Sequence, residues 1–242
     1  MIGIQLYTVR EAMTDFESSV AVIRKLSDMG YDFVQLAGKI ESVEMTAAAC
    51  KECGMPVIGI LTGRATCEEQ KERLFCAARL CGAKDIGISS LATNSDEVED
   101  LLFWANSFKK VAEDNGFSFS YHNHSNELMR CEDGRTVMDR ICEDFEGYLM
   151  PDTYWLQHGG VDVRDFIDKN GEKIKILHLK DMKRTADGPT FAELGMGNLN
   201  FKGIVKTAVA HGVELFVVEQ DKCDIDPLES ARISVDYFNS LQ

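Results

Sequence analysis

Residues 174–181 read Ile-Lys-Ile-Leu-His-Leu-Lys-Asp. An apolar run this short predicts a β-strand with a buried start. Strand side chains alternate between two faces. Ile174, Ile176, His178 and Lys180 therefore share one face, and Leu177 and Leu179 the other. A histidine and a lysine continuing a core face are tolerated where they line a polar cavity or bind a metal. Whether other strands end the same way decides what kind of sheet this one belongs to.

They do recur. Strands are predicted over Gly3–Tyr7, Asp32–Leu36, Pro56–Leu61, Asp85–Ile88, Phe117–His124 and Gly147–Asp152, before the quoted stretch, and over Val213–Glu219 after it. Helices are predicted over Phe16–Met29, Ser42–Cys53, Cys67–Cys81, Val98–Asn115, Thr136–Asp144, Asp162–Asn170, Phe201–His211 and Pro227–Asn239. Most are followed by a glycine, a usual helix stop. Residues Met182–Gly197, with three glycines and a proline, read as a loop. Strict alternation of strand and helix implies a parallel sheet. Eight units in 242 residues match an α/β (β/α)8 TIM barrel of one domain, residues 1–242, for which ~250 residues is typical. An open doubly wound sheet has the same periodicity and is the alternative. No Gly-x-Gly-x-x-Gly follows an early strand, which argues against a dinucleotide fold.

Composition narrows the class. The net charge is −14, from 26 Lys and Arg against 40 Asp and Glu. Nucleic-acid binding needs a cationic surface, so no nucleic acid is expected as a partner. No apolar run reaches 18 residues, so no membrane span is expected. The N-terminus lacks a basic segment followed by an apolar core, so no secretory signal is read there and a cytoplasmic location is expected. Eight cysteines without such a signal predict reduced thiols. Cys50 and Cys53 form a lone C-x-x-C closing a helix, without the second pair a zinc site needs.

In a (β/α)8 barrel the active site lies at the C-terminal ends of the strands. There the first strand offers Gln5 and Tyr7, the fifth His122 and His124, the sixth Asp152, the seventh His178 and Lys180, and the eighth Glu219. His122, Asp152, His178 and Glu219 thus end four neighbouring strands. Imidazoles and carboxylates together suit a divalent transition ion such as Mn, Co, Fe or Zn. A metal-free hydrogen-bonded network is the competing reading. A cation with open positions chelates neighbouring oxygens of a sugar and polarises its carbonyl. A nearby carboxylate or imidazole then removes the adjacent proton. Lys180 is read as catalytic or as a charge partner of these acids. Trp155, and Tyr7 with Gln5 from the first strand, are expected against the substrate, a small carbohydrate.

The chain resembles the xylose isomerase-like barrel superfamily of sugar phosphate isomerases and epimerases, which includes the AP endonuclease 2-like barrels. The resemblance rests on Tyr121-His-Asn-His124 with Glu127, Gly159-Gly-Val-Asp162, His178-Leu-Lys-Asp181, Gly195-Met-Gly197 and Val218-Glu-Gln-Asp221. It implies one divalent metal (Mn, Co, Zn, Fe or Mg) held by a Glu, an Asp, a His and a Glu. Asp152, His178 and Glu219 match the last three. His122 stands where the first glutamate is usual, so either His122 or Glu127 completes the set. With that glutamate missing, Glu219, Glu127, His124 and Lys180 become the candidates for proton transfer. The Gly59-Ile-Leu-Thr62 segment also lacks a histidine that relatives often carry. The expected activity is a metal-dependent isomerase or epimerase of a sugar or keto-sugar. The alternative is a lyase, dehydratase or deglycosidase on a keto-sugar or inosose. An endonuclease on abasic DNA, disfavoured by the acidic charge and five histidines, and a non-catalytic sugar-binding barrel are further rivals. A homo-oligomer is compatible with all of these.

Overall fold

A computed structural model describes residues 1–241. Eight parallel strands form one sheet: β1 (Ile2–Gln5), β2 (Phe33–Ala37), β3 (Val57–Thr62), β4 (Asp85–Ser89), β5 (Ser118–His122), β6 (Tyr148–Met150), β7 (Ile176–Leu179) and β10 (Leu215–Val218), in the order β6-β5-β4-β3-β2-β1-β10-β7. The two end strands meet. Lys175 N donates to Leu149 O at 3.0 Å and His178 N to Pro151 O at 2.9 Å, with bridges pairing Leu149 with Ile174 and Asp152 with His178. The sheet is therefore a nearly closed barrel, and the open doubly wound alternative is set aside.

The helices on the outside are α1 (Phe16–Asp28), α2 (Ile40–Cys53), α3 (Arg64–Glu69), α4 (Lys71–Cys81), α5 (Ser95–Asp114), α6 (Val137–Asp144), α7 (Thr153–His158), α8 (Val163–Asn170), α9 (Phe201–Ala210) and α10 (Pro227–Ser240). Local chemistry sets many of their starts. Asp15 with Ser18, and Thr136 with Asp139, form reciprocal capping boxes that satisfy amides a helix start leaves open. Asp226 caps α10, whose first residue is Pro227, as a fixed φ favours. Gly54 ends α2 at φ 66°, a left-handed conformation cheap only for glycine.

The main core lies between strands and helices and includes Ile4, Leu36, Ile60, Ile86, Phe119, Tyr121, Leu177 and Leu179. A smaller cluster of Phe33, Met150, Ile176 and Val217 fills the barrel interior. Polar inward residues above this plug can only face the C-terminal mouth.

Four expectations are corrected. β1 ends at Gln5, and Tyr7 lies in a 3-10 turn over Leu6–Ala12. The single helix expected over Cys67–Cys81 is two, divided at Gln70. α7 was not foreseen. The expected loop after β7 contains a hairpin, β8 (Asp181–Thr185) paired antiparallel with β9 (Gly188–Ala192). All eight cysteines are free thiols in this structure. Among the described residues, no helix is long and apolar enough to cross a membrane.

Candidate metal centre and active site

Strand geometry brings the foreseen residues together. His122 ends β5, Asp152 follows β6, His178 lies in β7, and Glu219 follows β10. All four are buried, and one ligand atom from each lies within 4.8 Å of the others. Such a buried His-Asp-His-Glu group could hold a metal ion.

His178 carries a specific sign of this. Its Nε2 is 2.7 Å from Gln35 Oε1, which also accepts from Gln5 Nε2 at 2.8 Å. An oxygen that receives the Gln5 amide favours the Nε2–H tautomer of His178. The other nitrogen, Nδ1, then presents a lone pair to Glu219 Oε2, 2.8 Å away. Two acceptors at that separation call for a proton or a cation between them. Histidine metal ligands usually have their second N–H donated to an oxygen in this way. Asp152 is similarly divided. Its Oδ1 accepts from Trp155 N at 3.0 Å as the cap of α7, while Oδ2 faces Lys180. The His122 ring lies 4.6 Å from that of His178, and its buried Nδ1 has no hydrogen-bond partner among the described residues. The donor set fits a divalent metal.

Lys180 lies just past β7 with 1% of its surface exposed. Its Nζ is 2.9 Å from Asp152 Oδ2, 3.1 Å from Glu219 Oε2 and 3.0 Å from Asp221 Oδ2. Burial alone would lower its pKa, but the three carboxylates overcome this and hold it protonated. Burial pushes the Asp152 carboxyl up to about 6, against the pull of Lys180. Glu219 is also desolvated, yet the Lys180 ammonium outweighs that and keeps its carboxyl well below the usual carboxylate range. Burial, first of all, drives the His122 imidazole well down and the His124 imidazole down.

Above this group opens a cavity of about 440 Å³, lined by Tyr7, Leu61, Ser89, His122, His124, Glu219 and Asp221 among others. Two larger surface pockets lie elsewhere, one against α3 and the β4–α5 loop and one between α6 and α8. Neither touches the buried cluster, and size alone does not make a site. Tyr7 reaches the cavity rim, where Arg10 stacks on its ring at 3.8 Å. Gln5 does not reach the cavity and sits fully buried behind His178. Trp155 stands beside His124, ring centres 5.5 Å apart, and its Nε1 has no partner among the described residues.

The structure groups His122, rather than Glu127, with the other three candidate ligands. Glu127 is buried, accepting from Tyr121 Oη at 2.8 Å and His124 N at 3.0 Å. Sequence reasoning gave no role to Asp221, Gln35 or Phe191. Asp221 had a signal, standing two residues past Glu219. Phe191 had none, because it comes from the unforeseen hairpin and packs on Tyr154 at 4.4 Å.

Comparison with known proteins agrees with this architecture. The family model described as a xylose isomerase-like TIM barrel matches residues 23–241, and the chain belongs to that family. A sugar phosphate isomerase/epimerase from Parabacteroides distasonis superposes with a TM-score of 0.80 at 19% identity, covering 99% of this chain and 93% of that one. A 3-keto-D-glucoside 4-epimerase from E. coli superposes at 0.73 with 18% identity, covering 99% and 98%. At such identities the likeness concerns the fold. An inosose dehydratase from Clostridium perfringens is 25% identical over 157 residues, 57% of this chain and 52% of the relative. The chain thus matches about half the length of the curated relatives.

Proposed function

We propose that the protein is a metal-dependent enzyme that removes a proton next to the carbonyl of a keto-sugar and returns it as an isomerase or epimerase. The observation that carries this reading is the buried His122, Asp152, His178 and Glu219 group at the floor of a sugar-sized cavity. When bound, a divalent cation there supplies a Lewis acid that polarises the substrate carbonyl.

The chain's own residues supply the proton chemistry. Glu219 is ionised and borders the cavity, so it can accept the proton from the carbon next to the carbonyl. His124 is held neutral and its Nδ1 is unpartnered among the described residues, so it can exchange a proton with the substrate. Glu127 positions His124 by accepting its backbone N–H. Lys180 already faces three carboxylates; an ammonium has three donors, which leaves it as a charge partner. Tyr7, which lines the cavity, offers a ring face to a sugar, and Trp155 packs edge-on to His124.

A lyase outcome is the second reading, supported by the inosose dehydratase relatives. There Glu219 takes the proton from one carbon and passes it to the oxygen that departs from the next, which leaves as water or an alcohol. One experiment separates the two. The protein, loaded in turn with Mn and Co, is incubated in D2O with a 3-keto-glucoside and with an inosose, and followed by NMR. Deuterium next to the carbonyl in a product isomeric with the substrate is expected. Loss of water or aglycone establishes the lyase, and no deuterium uptake with either metal refutes proton abstraction.

A further inference from the structure

Lys180 is an unusual neighbour for a metal centre, because its ammonium occupies the same carboxylates that a metal would use. Its Nζ lies 2.9 Å from Asp152 Oδ2 and 3.1 Å from Glu219 Oε2. Glu219 Oε2 is also the atom facing His178 Nδ1. The lysine has no route away from them: its side chain is enclosed, with the Trp155 ring centre 5.6 Å and the Phe191 ring centre 5.8 Å from Nζ. Its third partner, Asp221, is different. Asp221 is no member of the four-residue group, and its side chain is 28% exposed at the cavity. The Asp221 loop is pinned, since Arg10 donates to Asp221 O at 3.0 Å and to Tyr7 O at 2.7 Å.

We propose that Lys180 is a resident cation that competes with the metal, neutralising Asp152 and Glu219 in its absence and holding metal affinity down, with Asp221 as the counter-ion that remains when the metal takes the other two. The proposal rests on the metal reading given above. The charges support it. Three carboxylates and one ammonium leave two negative charges, which one divalent cation cancels. Two buried carboxylates without a cation would be strongly penalised, so the lysine makes the metal-free barrel tolerable. The same charge, a few ångströms from any ion bound to Asp152 and Glu219, repels it. The consequence is a centre that exchanges its metal rather than one that locks it in.

The test is direct titration of the whole protein with Mn(II), with free ion read by electron paramagnetic resonance. Lys180→Met keeps the volume and removes the charge, and should bind Mn about tenfold tighter or more. Asp221→Asn, at an accessible position, should bind it severalfold more weakly. In the Lys180→Met background that loss should shrink, as it must if Asp221 acts through Lys180. Melting of the metal-free Lys180→Met protein should fall, with a larger recovery on adding Mn than in wild type. Unchanged or looser Mn binding by Lys180→Met, with wild-type binding intact, overturns the proposal alone. Should Lys180→Met not fold, an Asp221→Asn protein that binds Mn as wild type does overturns it instead. If wild type and variants all bind no Mn, the proposal falls together with the metal reading.

Discussion

Glu127 shows how one side chain can be legible in a sequence while its task is not. Its place after Tyr121-His-Asn-His124 marked it as a site residue. The fold turns its carboxyl toward Tyr121 Oη and the His124 amide, behind the cavity wall. Burial there pushes it up to about 7 from its ordinary 4.5. The unfolded carboxyl releases its proton from about pH 4.5, whereas the folded one keeps it until about 7. The folded state thus binds more protons in that window, and stability falls as pH rises through it, by on the order of 3 kcal/mol. Glu127→Gln cannot ionise and should flatten this slope. Melting temperatures of both proteins between pH 4.5 and 7.5 check it, and parallel curves would show that Glu127 is not the group responsible.

The hairpin of β8 and β9 is the element that most changes the picture of the site. It places Phe191 against Tyr154 and near Lys180. Its return to the barrel is held by Asp181, whose carboxylate accepts from the amides of Met182, Gly195, Gly197 and Leu199 at 2.7–3.1 Å. A Cβ on Gly197 would lie 2.3 Å from Asp181 Oδ1 and 2.6 Å from Met182 O. Neither can move without breaking this anchor. Gly197→Ala should therefore cost about 2–4 kcal/mol, the range of a disrupted buried polar network. Urea denaturation measures it. A loss below about 0.5 kcal/mol, typical of a neutral surface change, would mean the anchor matters little. The segment read as a loop from its glycines and proline because strand pairing across a two-residue turn leaves little periodic signal there.

For the whole molecule, the four buried candidate ligands join β5, Asp152 just beyond β6, β7 and Glu219 just beyond β10 at the place where the sheet closes. Anything that binds them in the folded state alone stabilises the entire barrel. At a metal concentration of 100 times Kd the gain is about 2.7 kcal/mol. Mn or Co should raise the melting temperature of the wild type, and excess chelator should return it to the metal-free value. His178→Ala should lose most of this increment. An equal increment in that variant would place the ion somewhere other than the centre described.

Much of this was determined by the sequence itself. Eight alternating strand and helix periods specified a parallel α/β sheet with the repeat number of a (β/α)8 barrel, because burial of each face repeats with the period of its element. The inward parity of His122 and His178 followed from the alternation of strand side chains, and Asp152 and Glu219 were placed beside them as strand ends. Tertiary structure alone decided three matters. Closure of the barrel is a contact between β6 and β7, which no local pattern encodes. The turn of Tyr7 out of β1, and of Glu127 away from the cluster, depends on packing between distant segments. The occupation of Lys180 depends on Asp152, Glu219 and Asp221 converging in space. A lysine at the end of a strand is a cation in any sequence, and only the carboxylates that the fold gathers around it decide whether it faces a substrate or shares the ligands of a metal.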